Sequence, residues 1–281
     1  MLRIAVPNKG SLSETAERML QEAGYHTRRD SRQLVYEDLR NGVELFYLRP
    51  RDIATYVGSG ALDVGITGRD LLLDSETAAT ELEELNFADS TFRFAAKGLS
   101  TLEELEGKRI ATSYPKLVSD FLAKHRISAT TVRLDGAVES AVRLGVADAV
   151  ADVVSTGATL RAAGLEIFGP PLLHSTAVLI GNENTGPANN KATARLIERL
   201  EGVALARKFV MMEYDLESDK LEAATKIASG VEAPTVSPLA NPGWVAVKVM
   251  VPADDAPFIM DELHDLGAKA IIVVKLHAAR M

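Results

Sequence analysis

The stretch ESAVRLGVADAVADVVSTGATL, residues Glu139 to Leu160, decides the fold class of this chain. It reads as a helix, then a buried strand over Asp148–Val153, then a small-residue loop that opens a second helix. The strand ends on a single carboxylate, Asp152. In open α/β sheets, ligands bind outside the carboxyl ends of the strands. The pattern therefore predicts an α/β protein with a ligand site at this strand end.

The loop over Ser155–Thr159 has the residue types of a ribose-phosphate site. The N-terminus of the next helix presents unpaired N–H groups and a positive dipole end to a phosphate. Gly157 lets the backbone approach closely, and the hydroxyls of Thr156 and Thr159 add donors. Asp152 can accept hydrogen bonds from ribose hydroxyls. An isolated loop of this kind is equally typical of an ordinary strand-to-helix connection with a threonine cap.

Composition bounds the class of protein. The 281 residues are 47% hydrophobic and 25% charged, which is ordinary for a globular chain of roughly two domains. The net charge of −8 argues against a nucleic-acid surface, which needs basic patches. The absence of cysteine excludes disulfides and thiolate metal sites.

The N-terminal sequence MLRIAVPNKGS lacks the apolar region and cleavage site of a signal peptide. No stretch approaches the ~18 apolar residues of a membrane span. We therefore expect a cytoplasmic protein that acts on neither nucleic acid nor membrane.

Strands and helices alternate along the first part of the chain, which predicts α/β units with largely parallel sheets. Capping boxes, Ser11 with Glu14 and Thr101 with Glu104, predict two helix starts. Other predicted helices are Arg51–Val57 and Ala192–Phe209. The predicted strands are Leu2–Val6, Val43–Leu48, Leu62–Ile66, Arg109–Thr112, Val132–Leu134, Ala149–Val153, Leu165–Phe168 and Thr176–Ile180, the last two separated by Gly169, Pro170 and Pro171.

From about residue 210 the order becomes βαββαβ, which predicts a ferredoxin-like module. One strand, Pro234–Pro238, has proline at both ends and is therefore expected at the sheet edge. The other elements are the strands Phe209–Tyr214, Trp244–Val251 and Ala270–Leu276 and the helices Ser218–Ala228 and Asp255–Leu266.

Three successive strand ends in the first unit carry candidate anion ligands. Lys9 follows the first strand, where a lysine beside a helix N-terminus can meet a phosphate or be only a solvated turn residue. Arg49 can bind phosphate bidentately or form a surface pair with Asp52. Asp70 can accept from an adenine amine or a ribose hydroxyl, or can be only an acidic residue at a helix start.

Further along the chain, Tyr114 precedes a proline-started helix and can stack on a base, or be only a half-buried aromatic. Ser90 lies at the predicted crossing between two lobes. The five histidines have no ligand spacing, and neither a P-loop nor a G-x-G-x-x-G fingerprint occurs.

Together these motifs resemble those of the ATP phosphoribosyltransferases, the first enzymes of histidine biosynthesis. The segments PNKG (7–10), LRPRD (48–52), GITGRD (65–70), ATSYP (111–115) and the run 139–160 occur in the family's order over essentially the whole chain. The resemblance implies two type II periplasmic-binding-protein-like lobes, with the active site between them, and a C-terminal ferredoxin-like regulatory domain, as in the long form. The implied domains are residues 1–90 with 178–209, residues 91–177, and residues 210–281.

The resemblance also implies a reaction and its ligands. ATP and 5-phosphoribosyl-1-pyrophosphate would give N1-(5-phosphoribosyl)-ATP and pyrophosphate, with AMP as a competitor and L-histidine as feedback inhibitor. Mg²⁺ would be carried largely by the pyrophosphate, with no ligand set from the protein alone. The family expectation is a homo-oligomer, dimer and hexamer. The general base, if one exists, is not identified.

The same resemblance assigns residues to these ligands. Phosphoribosyl pyrophosphate would contact Lys9, Arg49, Glu139, Asp152, Ser155, Thr156, Gly157, Ala158 and Thr159. The adenine nucleotide would be bordered by Asp70, Ser90 and Tyr114. Regulatory histidine would contact Asp215, Val231, Thr235, Met250 and Ala270.

Three other functions compete with this one. A solute-binding protein would share the two lobes without catalysis, but the phosphate loop and the missing signal peptide weigh against it. A phosphoribosyltransferase acting on a free base would place two adjacent acids before its loop, whereas here Asp152 is followed by two valines. A sensor with only an active C-terminal module is disfavoured by the intact anion-binding segments.

Overall fold

The computed structural model describes residues 1–28, 30, 32–154 and 157–279, which divide into two compact units. The first unit comprises Met1–Gln21 and Tyr25–Ile197 and holds two sheets. The second comprises Glu22–Gly24 and the chain from Glu198 onward and holds a third sheet. The predicted domain boundaries after residues 90, 177 and 209 stay predictions.

We call the six-stranded sheet with its helices the first lobe. It begins at the N-terminus. Its first eight elements are β1 (Leu2–Pro7), α1 (Ser11–Glu22), β2 (Val35–Asp38), β3 (Val43–Leu48), α2 (Pro50–Gly58), β4 (Val64–Gly68), α3 (Arg69–Asp74) and β5 (Thr80–Glu84). Strand β4 is buried along its whole length, as expected of a strand covered on both faces of its sheet.

The second lobe is the five-stranded sheet with its helices. It contains β6 (Ser90–Ala96), a 3₁₀ turn (Glu103–Leu105), β7 (Arg109–Thr112), α4 (Pro115–Lys124), β8 (Thr130–Arg133), α5 (Glu139–Arg143), β9 (Ala149–Val154), α6 (Ala158–Ala162) and β10 (Glu166–Ser175). The chain then returns to the first sheet as β11 (Ala177–Gly181) and continues into α7 (Lys191–Lys208).

The two sheets share a five-stranded topology, and the first has one more strand, β2, at its edge. The first has the order β2-β3-β1-β4-β11-β5 and the second β10-β6-β9-β7-β8. The chain crosses between the lobes twice, and the first strand after each crossing is β6 in the second sheet and β11 in the first. Each of these strands runs antiparallel to both of its neighbours. The sheets are therefore mixed rather than largely parallel, because each crossing brings a strand in from the opposite direction.

The prediction that Gly169–Pro171 lie between two strands is wrong. Strand β10 continues through these residues and changes register between Phe168 and Leu173. Proline is tolerated here because β10 is an edge strand, where a missing N–H breaks no ladder on its outer side. Strands β2, β5 and β6 were not predicted.

The predicted capping boxes form only in part. Glu14 pairs with Arg18, one turn further along α1, at 2.8 Å. Glu104 accepts the N–H groups of Ser100 and Thr101 at 2.7 and 2.9 Å, which is the backbone half of a capping box. The element that follows Thr101 is only the single 3₁₀ turn, not a helix.

The third sheet confirms the predicted βαββαβ order. Its elements are β12 (Phe209–Glu217), a 3₁₀ turn (Ser218–Lys220), α8 (Leu221–Ile227), β13 (Thr235–Pro238), β14 (Trp244–Pro252), α9 (Ala256–Leu266) and β15 (Lys269–Lys275). The strand order is β13-β14-β12-β15, so β13 lies at the edge as predicted. Both helices pack on the sheet face that carries Met212, Tyr214 and Val249.

Candidate active site

Three adjoining cavities line the facing sides of the two lobes, and we name each after one residue. The Ser90 cavity has a volume of about 210 Å³, the Arg49 cavity about 500 Å³ and the Glu139 cavity about 140 Å³. The first two share Lys9 and Tyr114, and the last two share Asp152. Because they share lining side chains, the cavities are parts of one site.

All the described residues predicted to contact substrate line this site, although their ligand roles stay predictions. Ser155 and Thr156 lie outside the described residues. The residues placed in the cavities are Lys9, Arg49, Asp70, Ser90, Tyr114, Glu139, Asp152, Gly157, Ala158 and Thr159.

Asp70 is held in the Ser90 cavity by a strand of the other lobe. The carboxylate oxygen Oδ1 of Asp70 accepts a hydrogen bond from Ser175 Oγ at 2.8 Å. The backbone N–H of Asp70 donates to Ser175 Oγ at 3.1 Å. Both residues are nearly buried, with exposures of 7% and 5%. Ser175 pairs with Ser90 across β10 and β6. A hydroxyl that both donates to and accepts from one residue fixes the direction of that carboxylate.

Gly68 makes room for this arrangement. A Cβ atom built on Gly68 would overlap Oδ1 of Asp70 and lie 3.5 Å from its Cγ. Gly68 has ordinary extended backbone angles, φ −83° and ψ 144°. The glycine is therefore required by the position of the Asp70 carboxylate and not by the backbone conformation.

Tyr114 stands where the Ser90 and Arg49 cavities meet. Its ring packs edge-on against Phe92 with centroids 5.1 Å apart, and the guanidinium carbon of Arg51 lies 4.6 Å from its centroid. Burial raises the pKa of the Tyr114 phenol, and Asp70 raises it further through its charge and a hydrogen bond. The phenol is therefore a neutral hydrogen-bond donor at physiological pH.

Two cations of the Arg49 cavity, Lys9 and Arg49, have no acidic partner among the residues that the structure describes. Among the described residues, neither Lys9 nor Arg49 forms an ion pair within 4.0 Å, and the predicted alternative pair of Arg49 with Asp52 is not formed. Arg133 is 3.6 Å from Asp135 at the exposed rim. Unpaired cations in a concave site attract an anionic ligand.

The Glu139 cavity joins two carboxylates to the glycine of the predicted phosphate loop. Burial raises the pKa of Asp152, and the charges of Glu139 and Asp70 raise it further against the opposing hydrogen bond from Val153 N–H. Gly157 has φ +69°, a left-handed conformation that favours glycine. The following helix, α6, has only five residues, so its dipole is small.

The structure brings Arg51, Asp74 and Ser175 to the site, none of which was predicted. Arg51 lies within the quoted LRPRD segment, so its position beside Arg49 was the available signal. Asp74 contacts Arg51, and Ser175 contacts Asp70 from 105 residues away in sequence. No local pattern marks either of these two residues.

The predicted regulatory residues lie on strands of the third sheet and in the segment before β13. Asp215 pairs with Ala246 and Lys269, whereas Met250 pairs with Met211. Asp215 lies four positions beyond Met211 along β12, and Met211 is the residue opposite Met250. The positions of Asp215 and Met250 are therefore roughly 13 Å apart along the strand direction.

Thr235 and Ala270 flank this region on the outer strands. Thr235 pairs with Lys248, which forms a 2.7 Å ion pair with Glu213. Ala270 has φ +51°, rare for alanine, where β15 shifts register against β12. Val231 is exposed, in the segment between α8 and β13.

Comparison with known proteins identifies the family. The ATP phosphoribosyltransferase family model (HisG) matches residues 49–202, and the model of the HisG C-terminal domain matches residues 206–278. The ATP phosphoribosyltransferase of Paenarthrobacter aurescens is 59% identical over the full length of both chains, and that of Streptomyces coelicolor is 54% identical over the full length of both.

The chain belongs to the ATP phosphoribosyltransferase family. It is a transferase of histidine biosynthesis and, since it carries the C-terminal domain, of the long form. The predicted two-lobed catalytic region and ferredoxin-like C-terminal module are thereby confirmed.

A solved structure of the family resembles only part of the chain. The structure of the ATP phosphoribosyl transferase (HisG:HisZ) complex from Thermotoga maritima superposes with a TM-score of 0.64 at 28% identity. It covers 73% of this chain and 99% of that chain. The similarity therefore spans nearly all of that chain but leaves about a quarter of this chain unmatched.

Two further observations concern metal and membrane. No helix in the described ranges is long and apolar enough to cross a membrane. Within the same ranges, no group of three or more His, Asp or Glu side chains could hold a metal ion. The carboxylates of Glu139 and Asp152 do share one cavity, however. Mg²⁺ commonly binds one or two carboxylates plus substrate phosphates, so this pair suits a cation that arrives with a pyrophosphate.

Proposed function

We propose that this enzyme transfers the 5-phosphoribosyl group of 5-phosphoribosyl-1-pyrophosphate to N1 of ATP and releases pyrophosphate, as the first step of histidine biosynthesis. We further propose that L-histidine bound to the C-terminal module inhibits the reaction. The observation that carries the first proposal is the shared lining of the three cavities. It joins a carboxylate pair, an aromatic side chain and two cations without an acidic partner among the described residues in one site.

The cavities divide the two substrates between them. The loop that includes Gly157 and Thr159 would hold the 5-phosphate, with Asp152 and Glu139 beside the ribose. Lys9 and Arg49 would face the pyrophosphate in the Arg49 cavity. The adenine nucleotide, or AMP in competition with it, would occupy the Ser90 cavity.

The nucleotide side suits an adenine ring held for attack. Asp70 can accept from the exocyclic amine or from a ribose hydroxyl, while Tyr114 supplies an aromatic face and a neutral hydroxyl. Ser90, on the same cavity wall, adds a hydroxyl that can donate or accept. The protein thereby needs to position two anionic substrates rather than supply a nucleophile of its own.

The chemistry is a displacement at the anomeric carbon. The lone pair of adenine N1 forms a bond to C1 of the ribose as the C1–O bond breaks, and that electron pair leaves with pyrophosphate. Loss of a proton from the exocyclic amine then restores the neutral adenine. Positive charge builds on the ribose next to Asp152 and Glu139, while Lys9 and Arg49 stabilise the leaving group.

Mg²⁺ is part of the proposal. When bound, it would neutralise charge on the pyrophosphate, and Asp152 and Glu139 are the residues that would contact it. Because the pKa of Asp152 is raised by burial and by Glu139, a cation or a cationic ribose next to this pair removes an electrostatic penalty already present in the free enzyme.

The test of the catalytic proposal is the formation of phosphoribosyl-ATP from the two substrates with Mg²⁺ and pyrophosphatase. We expect Lys9→Ala and Arg49→Lys to raise KM for the pyrophosphate donor about tenfold or more, since each removes a charge or a bidentate contact. Lys97→Ala is the matched control, because Lys97 is exposed and lines none of the three cavities. No product from folded wild-type enzyme would refute the proposal.

Regulation is tested with Asp215. A carboxylate on this strand can pair with the amine or imidazole of histidine. We expect Asp215→Ala to abolish inhibition by L-histidine while leaving uninhibited kcat within about twofold. Asp219→Ala changes an exposed carboxylate of the same module and should inhibit normally. Histidine that still inhibits Asp215→Ala with wild-type potency would refute this site.

Dimers and hexamers, and a cytoplasmic location, complete the proposal. The assembly rests on the family resemblance alone, and the location on the expectation drawn from the sequence. Sedimentation velocity with and without histidine tests the assembly, and a strictly monomeric enzyme would contradict it.

A further inference from the structure

Helix α4 of the second lobe is capped by a side chain of the first lobe. Its own N-cap residue, Tyr114, makes no side-chain cap hydrogen bond. Instead, Oδ1 of Asp74 accepts the N–H groups of Lys116 and Leu117 at 3.0 and 3.2 Å. These N–H groups belong to the first helical turn, which has no partners within the helix. A carboxylate is also the charge that a helix N-terminus favours.

The other oxygen of the same carboxylate holds Arg51. Nη1 of Arg51 donates to Oδ2 of Asp74 at 2.9 Å, and the Asp74 side chain is only 6% exposed. Arg51 in turn lies over the ring of Tyr114. Both oxygens of Asp74 therefore act on Tyr114, one through the helix that follows it and one through the cation above its ring.

This arrangement joins the two lobes at the nucleotide side of the site. Asp74 ends α3 and Arg51 belongs to α2, both in the first lobe, whereas Tyr114 precedes α4 in the second. Tyr114 lines both the Ser90 and the Arg49 cavities. If the lobes separated, the two capping hydrogen bonds and the cation–π contact would break together.

We propose that Asp74 is a positioning residue for ATP: by capping α4 from the opposite lobe and holding Arg51, it fixes Tyr114 at the junction of the Ser90 and Arg49 cavities. The inference rests on the proposed function, because it takes the ligand beside Tyr114 to be the adenine nucleotide. It assigns Asp74 no contact with either substrate.

Steady-state kinetics of Asp74→Ala and Asp74→Asn test the proposal. A small displacement of a positioned group can cost up to about 100-fold, so we expect Asp74→Ala to raise KM for ATP about 10- to 100-fold. KM for the pyrophosphate donor should rise by a clearly smaller factor. Tyr114 and Arg51 also line the Arg49 cavity, but the loop of the Glu139 cavity, which would hold the donor's 5-phosphate, does not depend on α4. Asp74→Asn keeps a carbonyl acceptor for the helix and should recover part of the loss.

Asp63→Asn is the matched control. Like Asp74, Asp63 combines a backbone N–H with an arginine: it accepts Arg3 N–H at 2.7 Å and pairs with Arg3 Nη2 at 3.1 Å. Asp63 and Arg3 both lie in the first lobe and line none of the three cavities. Should Asp74→Ala fail to fold, Arg51→Met tests the same contact to Tyr114 with the helix cap intact.

Two results would overturn the inference. One is an ATP KM for Asp74→Ala within about twofold of wild type, even if its melting temperature falls, because Asp74 would then be only a structural cap. The other is an equal rise in KM for both substrates, as expected from general loosening. A wild-type enzyme without turnover would instead refute the proposed function. In that case, unchanged hydrogen exchange at the amides of Lys116 and Leu117 in Asp74→Ala would refute the cross-lobe cap itself.

Discussion

Replacing Gly68 by alanine should displace one carboxylate and little else. The extended backbone of Gly68 accepts an alanine without strain, and the atoms nearest to the new Cβ are those of Asp70 and Leu71. The Cβ overlaps Oδ1 of Asp70, while Cδ1 of Leu71 is at an ordinary 3.8 Å. We therefore expect the Asp70 carboxylate to rotate away from Ser175 Oγ.

The magnitude follows from the hydrogen bond that is lost. A hydrogen bond to a charged group contributes about 1.5–3 kcal/mol. The Gly→Ala change returns about 0.4–1 kcal/mol by restricting the unfolded chain. The net loss of about 0.5–2.6 kcal/mol should lower the melting temperature by about 1–10 °C for a unit of this size. KM for ATP should rise about tenfold or more if the rotated Asp70 carboxylate loses its proposed hydrogen bond to the nucleotide, since about 1.4 kcal/mol of binding energy corresponds to a factor of ten.

Thermal denaturation and steady-state kinetics measure the two effects. Gly186→Ala is the control, because no atom lies within 4 Å of its added Cβ and its φ is not positive. Ser175→Ala removes the same hydrogen bond from the other side, so the two changes together should cost less than their sum. Fully additive effects, or an unchanged ATP KM in Gly68→Ala, would show that the direction of the Asp70 carboxylate does not matter for the nucleotide.

Three further changes have defined outcomes. Gly65→Ala places a Cβ 2.5 Å from Cγ2 of Ile53, so overpacking should cost about 1–3 kcal/mol and lower the melting temperature, whereas an unchanged value would show that α2 can move freely. Asp152→Asn should lower kcat/KM about 100-fold yet raise the melting temperature at pH 7. The pKa of Asp152 is raised in the folded state because burial penalises the ionised carboxylate. The gain in melting temperature of Asp152→Asn should therefore shrink as the pH falls through that pKa. A gain that persists in acid would contradict the reasoning. Asp148 has its pKa lowered to about 2, chiefly by the hydrogen bond from Arg109, so its small contribution should be present above about pH 4 and lost towards pH 2. Urea denaturation of Asp148→Asn and wild type at pH 7 and pH 2 checks this, and a difference that is equal at both pH values would refute it.

Element positions were largely predictable because their signals are local. Strand β7 has the predicted bounds, and helix α9 ends where Gly267 adopts φ +103°. The predicted edge strand with its two prolines lies at the edge of the third sheet. Strands β2 and β5 escaped prediction because their polar, partly exposed residues give neither an apolar run nor a clear alternation.

The candidate site was predictable in its residues but not in its contacts. Lys9, Arg49 and Asp70 each follow a strand, and the rule for strand ends places such residues in one crevice. Nothing local indicated that Ser175 would hold Asp70 or that Asp74 would cap α4. The partners in these contacts are 105 and 42 residues apart in sequence, so only packing selects them.

The sequence by itself determined most of the helices and strands, the ferredoxin-like tail and the set of residues at the strand ends, because apolar periodicity, glycine and proline act within a few neighbouring residues. Only the tertiary structure decided which strand enters which sheet and in which direction. Strand β11 lies between β4 and β5 because the chain crosses from the second lobe back to the first. The same crossing brings Ser175 beside Asp70 and Asp74 against α4, since side chains on separate elements meet only after the lobes have packed.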